Sequence, residues 1–562
     1  MLPKSDPSDS PVRVYGVTVA EPDIHDPSSD ARRLVTALAE QHGLFGVEIG
    51  IPVLRGLQKT LRQSQWIVRV AVHMGRSIVA VYSSKPTRPL GVAFDVGTTI
   101  LCATLVDLET SEILGSESAI NPQIRFGADP ISRVAHGMTG IDAVEGMTLI
   151  IRQCLNDLLG KLVEGAGFLR AHIVDLAFAA NPVMHHLLLG IDPHELGGAP
   201  FAVAQSEAGY WSSRDLGLEA APGSLIYGIP LIGGHVGSDL ASAAIALGQE
   251  SPEDGTLVID IGTTVEVLLS NSGQILAAAP PSGTVLEGLQ IEAGCYVGPG
   301  AIREFRIDKN TFEPRYRVVG CELWSDDPGF HDAIDVADVR GLCRSGLIDA
   351  LAELRLSGII GRDGTFNSDI AAKTPRIREE YRSFTYLIHE TQPRIAMTQH
   401  DIRALQLAKA GVQASIRILM KQLGVSTLKR VYLSGSPGCL IDPMRAAVVG
   451  LFPDCDLENV TSVENASLAG TVMILLSKSK RYAVEDLARK ARAVETVLDP
   501  DFQMEHINAM GLPSSTLGYP LLGKHVEIAD NALAAPSRRN LRRERRIDDV
   551  IGSINSKSSV AV

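Results

Sequence analysis

GVAFDVGTT (Gly91–Thr99) and LVIDIGTT (Leu257–Thr264) are two copies of one short phrase, and their reading decides the fold. Each is an apolar run ending in Asp, followed by Gly-Thr-Thr and a second apolar run: ILCATLVD (Ile100–Asp107) after the first, VEVLLS (Val265–Ser270) after the second. Apolar run, glycine turn, apolar run is the pattern of a β-hairpin, with the glycine permitting a turn that a side chain would disfavour. Such a turn offers backbone N–H groups and hydroxyls to an anion. Asp95 and Asp260, at the strand ends, are placed to hold Mg²⁺ or a lytic water. A single copy would arise by chance in many chains. Two copies after matching strands predict a duplicated domain with a nucleotide between its halves; the plainer alternative is two ordinary hairpins.

The length of 562 residues allows about three domains. With 45% hydrophobic and 21% charged residues the chain has ample apolar surface for real cores. A formal net charge of −13 argues against general nucleic-acid binding, because that field repels phosphate backbones. No apolar stretch approaches the ~18 residues of a membrane helix, and the opening MLPKSDPSDSPVRV has no apolar signal core. Membrane insertion and export are therefore not expected, and the cytoplasm is the expected compartment. The cysteines (Cys102, Cys154, Cys295, Cys321, Cys343, Cys439 and Cys455) form no CxxC or other tight pair, and none precedes Cys102. No zinc site or iron–sulfur cluster built from sequence neighbours is expected in this chain, and buried, reduced thiols are. Cys295 and Cys343, beside glycine turns, read as packing residues.

Residues 1–10, rich in Ser, Pro and Asp, read as disordered. A small α/β module over 11–88 follows, with a strand at Val12–Val19, helices at Asp30–Gly43 and Ile51–Gln63, and a hairpin at Trp66–Tyr82. The first half is expected over 89–248. It holds the first phrase, a helix at Met147–Gly165, a buried strand at Val174–Ala180, a helix at Val183–Gly190 and a small-residue helix at Leu240–Gly248. The second half is expected over 249–510. Glycines at 283, 288, 294, 298 and 300 suggest backbone held close to something. A capping-box pattern, Thr398 and Asp401, opens a long helix over Ile402–Leu423. The run Arg430–Leu433 leads into Ser434-Gly435-Ser436-Pro437-Gly438 and a helix from Pro443, the expected shape of an adenosine contact. Residues 511–562 read as an extension whose arginine-rich end is either a solvated tail or a docking surface for an acidic partner. His185 and His186 are adjacent, and neighbours on a helix point about 100° apart. They read as one core and one surface histidine rather than a metal pair.

The ordered set of DVGTT, DIGTT and a late Gly loop resembles the actin, sugar-kinase and heat-shock-chaperone ATPase superfamily, in which two ribonuclease-H-like halves close on Mg-ATP. The words between the motifs narrow the resemblance. NPQIRFGADPISRV (Asn121–Val134), NPVMHHLLLGIDP (Asn181–Pro193), APFA (Ala199–Ala202), CRSGLIDALAEL (Cys343–Leu354) and TQHDIRALQLAKA (Thr398–Ala410) are similar to the reductive activators of corrinoid proteins. The similarity runs from about residue 12 to residue 510. It implies an α/β fold with duplicated ribonuclease-H-like domains and a small N-terminal module. It also implies ATP-dependent reactivation of a corrinoid methyltransferase system whose cobalt has slipped from Co(I) to Co(II).

Carried over residue by residue, the resemblance makes Asp95, Gly97, Thr98 and Thr99 the first phosphate site and Asp260, Gly262, Thr263 and Thr264 the second. Asp95 and Asp260 organise Mg²⁺ and the attacking water, and Gly435 and Gly438 approach the adenosine. Asp239 is either a further phosphate-side group or the N-cap of the helix that follows it. Family members usually begin with a two-iron ferredoxin domain; with no cysteine before Cys102, the implied electron source is a separate iron–sulfur protein. The implied partner is a corrinoid-binding protein or corrinoid methyltransferase, and a homodimer is implied by resemblance alone. Two other functions stay open: a nucleotide-gated, chaperone-like binder of a corrinoid partner without redox work, and a small-molecule kinase of the same superfamily.

Overall fold

The computed structural model describes residues 7–84, 87–250, 252–335, 338–380, 382–435, 440–514 and 518–528. In the N-terminal module, β1 (Val12–Thr18), β2 (Glu48–Ile49), β3 (Ile67–His73) and β4 (Ser77–Ser83) form a sheet of order β1-β3-β4-β2. Leu34, Leu38, Leu57 and Leu61, from the helices Asp30–His42 and Ile51–Gln63, close its core against Val68 and Val70 of β3.

The first half is a sheet of β5 (Leu90–Val96), β6 (Ile100–Asp107), β7 (Ile113–Ile120), β8 (Ile173–Ala180), β9 (Gly209–Ser212) and β10 (Leu225–Gly228), in order β7-β6-β5-β8-β10-β9. The second begins with β11 (Thr256–Ile261), β12 (Val265–Asn271) and β13 (Gln274–Ala278). Two three-stranded sheets are then inserted: β14 (Ala301–Ile307), β15 (Pro314–Val318) and β16 (Gly341–Leu342), then β17 (Ile377–Glu380), β18 (Ser383–His389) and β19 (Ile395–Thr398). The core sheet resumes with β20 (Arg430–Gly435), β21 (Val460–Glu464) and β22 (Ala491–Ala493), giving the order β21-β20-β11-β12-β13-β22.

The two large sheets repeat one topology. β7-β6-β5-β8-β10 and β13-β12-β11-β20-β21 each have two antiparallel pairings followed by two parallel ones, the order 3-2-1-4-5 of a ribonuclease-H-like fold. β5 and β8 can sit in the middle because they are near-continuous apolar runs; every residue of β8 is buried, and in β5 only Asp95 is not.

Between the sheets, the helices Ser238–Ala246 and Ala466–Leu476 pack against each other. Leu240, Ala241, Val472 and Leu475 share one core with Ala93 and Ala177 of the first sheet and Val258 and Leu268 of the second. The approach is close: a Cβ on Gly470 would lie 1.8 Å from the Ser242 carbonyl oxygen. No helix among the described residues is long and apolar enough to cross a membrane.

Three expectations need correction. The expected disordered start does not hold over its last residues: Pro7–Asp9 form a 3-10 turn, Ser10 is buried, and the Asp9 carboxylate accepts hydrogen bonds from Ser477 and Ser479. Residues 1–6 lie outside the described residues. The helix expected from Met147 begins at Ile141, more than a turn earlier; Ile141 there is exposed and Val144 is the first residue to be buried, so the apolar period starts after the helix does. Neither Gly97 nor Gly262 is in the left-handed region. A Cβ at Gly97 would meet the Ile100 carbonyl oxygen at 2.4 Å, so closeness rather than φ selects glycine there. At the other end, Leu512 and Leu522 belong to the core of the second half, and the arginine-rich run from Arg538 lies outside the described residues.

Candidate active site

The mirrored hairpins put their acids in equivalent positions. Asp95 is paired with Cys102 across its hairpin and with Ala179 of the parallel neighbour; Asp260 is paired with Glu266 and Ser434. Each is the next-to-last residue of its sheet's first strand, and both line one cleft with Asp239, Asn181, Gly435 and Ser467. The first turn is fixed from behind. Asn121 Nδ2 donates to the Gly97 carbonyl (2.9 Å), Arg133 Nη2 to the Thr98 carbonyl (2.5 Å) and Asn181 Nδ2 to Thr98 Oγ1 (2.9 Å). In the second turn the Gly262 N–H donates to the Thr264 carbonyl at 3.1 Å.

Asp95, Asp239 and Asp260 line this cleft and Glu266 is buried beside Asp239 and Asp260, and the protonation of all four is pushed the same way. Burial, then the neighbouring Asp260, raises Asp95 to about 7. Burial, then Asp260 and Asp95, raises Asp239 to about 8. Asp260 is raised by burial, opposed by Ser434 and Arg344, and Glu266 is raised well above its ordinary value by burial and by Asp239 and Asp260. Ser467 Oγ donates to Asp95 Oδ1 at 3.1 Å, and the Gly237 N–H donates to both oxygens of Glu266 at 3.2 Å. Hard oxygen donors held together against their own repulsion fit a small divalent cation such as Mg²⁺. No group of three or more His, Cys, Asp or Glu among the described residues is arranged to hold a metal alone.

The two halves also touch here. Thr99 Oγ1 and Thr263 Oγ1 are 3.0 Å apart, and both donate to Glu287 Oε2, at 2.9 and 2.7 Å. Arg344 Nη2 donates to the other oxygen, Oε1, at 2.6 Å.

Asp95, Gly97, Thr98, Thr99, Asp239, Asp260, Gly262, Thr263, Thr264 and Gly435 all line the one cleft, while Gly438 lies outside the described residues. Of the two readings of Asp239, the cap is not taken. Gly237 is the N-cap of Ser238–Ala246, and Asp239 stands inside the first turn with its carboxylate toward the cleft. His185 and His186 are both buried, at 1% exposure each, which corrects the surface assignment of one of them. The helix Pro182–Leu189 is enclosed almost all round. His185 packs on Phe178, and His186 Nδ1 and Nε2 bond the Pro182 carbonyl and the Ala204 N–H. Sequence reasoning missed Asn181, Glu287, Asn465 and Ser467 as cleft residues. Glu287 lies inside the glycine-rich stretch already marked as close backbone, which was the available signal; nothing local marks Asn465 and Ser467, which are brought in by β21.

Three family profiles cover the chain in succession: "RACo linker region" over residues 7–88, "RACo middle region" over 90–251 and "C-terminal domain of RACo the ASKHA domain" over 254–522. The chain is similar to the "Corrinoid activation enzyme RamQ" of Eubacterium limosum, 29% identical over 448 residues, which are 77% of this chain and 72% of that one. It is 22% identical over 453 residues to the "[Co(II) methylated amine-specific corrinoid protein] reductase" of Methanosarcina barkeri, covering 77% of this chain and 78% of that one. Among solved structures, a "Reductive activator for corrinoid,iron-sulfur protein" matches with a TM-score of 0.78 and 28% identity, over 90% of this chain and 80% of that one.

Proposed function

The chain belongs to the family of reductive activators of corrinoid proteins, and from that premise we propose that it uses ATP to return a corrinoid methyltransferase system from Co(II) to Co(I). The observation that carries the proposal is the mirrored pair Asp95 and Asp260 facing one cleft between two halves of like topology. In this reading the triphosphate lies between the two Gly-Thr-Thr turns, with the Thr98, Thr99, Thr263 and Thr264 hydroxyls and turn N–H groups as donors. Asp95 and Asp260 are the groups to hold Mg²⁺ with the phosphates, and Asp239 adds a third carboxylate for an attacking water. When bound, the ion supplies charge neutralisation for the phosphoryl group. The side chains contribute positioning and electrostatics rather than covalent chemistry. A cavity of ≈ 450 Å³, lined among others by Arg303, Arg306, Ser345, Asp442 and Glu464, opens beside β21, and we assign it to the adenosine side.

The energetic task is to drive one unfavourable electron transfer, in which every ~59 mV of mismatch costs about 1.4 kcal/mol. Nucleotide can supply this only if the protein's nucleotide-bound and nucleotide-free states differ in affinity for the oxidised partner. The cysteines stand singly in the sequence, so we assign the electron to a separate iron–sulfur protein. The partner is a corrinoid-binding protein, the compartment the cytoplasm, and self-association rests on the family resemblance.

The test mixes the purified chain, Mg-ATP, a low-potential donor and a Co(II) corrinoid protein and follows the Co(I) absorption band. ATP-dependent reduction supports the proposal. Nucleotide-sensitive complex formation that ignores the donor would point to a chaperone-like role, and phosphate transferred to a metabolite rather than to water would point to a kinase.

A further inference from the structure

Two hydroxyls and a guanidinium converge on one buried carboxylate in the cleft. Glu287 ends the 3-10 turn Val285–Glu287 and is 9% exposed. One of its oxygens accepts from Thr99 of the first half and Thr263 of the second, and the other accepts from Arg344. The two threonines belong to the two turns that the nucleotide reading assigns to phosphate, and Arg344 opens the helix Arg344–Leu356. A carboxylate offers them what a phosphoryl edge offers, two oxygens sharing negative charge. The space left in the cleft is ≈ 70 Å³, against roughly 300–1,000 Å³ for pockets that take a small-molecule ligand. A phosphoryl oxygen that is to accept from Thr99 and Thr263 must take the place of the Glu287 oxygen they now hold.

We propose that Glu287 is a positioning residue that holds the place of a phosphoryl group and is displaced when nucleotide binds. The inference rests on the nucleotide reading above and adds to it the event by which binding is sensed. In the exchange, Thr99, Thr263 and Arg344 replace carboxylate oxygens with phosphoryl oxygens; no covalent bond is made or broken. Arg344 is the first residue of the helix Arg344–Leu356, and Ser345 and Asp349 of that helix line the cavity assigned to adenosine. Asp349 is tied there to Arg306 (2.5 Å) and to the Phe305 N–H (3.1 Å). One helix thus joins the two ends of the nucleotide, so displacement of Glu287 is transmitted along the second half.

The test is calorimetric titration of the full chain, and of its Glu287→Gln and Glu287→Asp variants, with the magnesium complex of a non-hydrolysable ATP analogue. Melting of each protein without nucleotide is measured in parallel. Both variants are expected to bind about tenfold more tightly, the scale set by losing one charge-assisted hydrogen bond to the displaced group, and to melt lower than the parent without nucleotide. Glu287→Asp keeps the charge but lacks the reach, so a gain there cannot be credited to relieved repulsion. Lower melting with equal or weaker binding in both variants, while the parent binds, overturns the proposal and leaves Glu287 as a support of the fold or a direct nucleotide contact. No binding by the parent defeats the nucleotide reading itself, and this inference with it. If neither variant folds, hydrogen exchange on the parent decides: nucleotide must change the protection of the first turn of Arg344–Leu356, and unchanged protection overturns the displacement.

Discussion

Asp95 and Asp260 are set against each other by the same geometry that makes them useful. Their charges repel across a water-poor cleft, and the raised protonation of Asp95 and Asp239 records that cost. Carboxyls that protonate more readily in the folded than in the unfolded chain contribute stability at low pH. That contribution is fully present below the unfolded values near 3.8 and is lost as pH climbs through about 7 for Asp95 and about 8 for Asp239. Thermal melts in EDTA from about pH 5 to about pH 8 should therefore fall with rising pH, and Mg²⁺ should recover most at the alkaline end. A melting curve indifferent to both would mean that the carboxylates are better solvated than their packing implies. Asp95→Asn should separate the two roles, raising the melting temperature by a few degrees at about pH 8 while cutting phosphate release from ATP by ~100-fold or more. These acids were legible in the sequence because each follows an apolar run and precedes Gly-Thr-Thr. Glu287 was not: it reaches the turns through space, from 188 residues beyond Thr99, and no local pattern encodes that meeting.

At the scale of elements, the hairpins, the buried strand β8 and the capping box of the long helix were legible because each has a short-range cause: an unbroken apolar run of strand length, or a side chain that satisfies a nearby N–H. The Thr398 and Asp401 box forms both ways, with Asp401 N–H to Thr398 Oγ1 at 3.1 Å and Thr398 N–H to Asp401 Oδ2 at 3.0 Å. What failed was orientation. The His185–His186 helix was read as having a wet side, yet its packing leaves none, because a helix apolar almost all round is an interior helix. The pair of helices between the sheets likewise has a requirement no local signal discloses. Gly470 stands mid-helix, where propensity alone would favour alanine, but a Cβ would be 1.8 Å from the Ser242 carbonyl. Gly470→Ala should thus force apart the two elements that join the halves and destabilise the protein by ~1–3 kcal/mol, the usual cost of overpacking. Nucleotide turnover should fall with it. Equal or higher stability in chemical unfolding would show that the helices can slide without loss.

Across the whole molecule, the duplicated halves and the N-terminal module have to act as one body if events at the phosphates are to reach a partner protein. One buried cluster is built where all three meet. Arg481, from the helix after the central pair, is fully buried and donates to Asp175 of β8 at 2.5 Å and to His73 of β3 at 3.1 Å. The Tyr210 and Tyr227 rings lie 5.6 and 4.8 Å from its guanidinium, and Tyr227 in turn donates to Glu485 at 2.9 Å. A guanidinium in such a place has no access to water, so its stability depends on Asp175 and the aromatic faces, and Asp175 depends equally on it. Arg481→Met removes one partner and strands a buried carboxylate, which costs ~3–5 kcal/mol in comparable sites. Adding Asp175→Asn to that variant removes the stranded charge and should return a large part of the loss. Denaturant unfolding of the two single variants and the double variant measures this as a coupling energy. Additive effects would mean that the contact between the two halves at this point is carried by apolar packing alone; strong coupling would fix the Arg481–Asp175 pair as a joint between them.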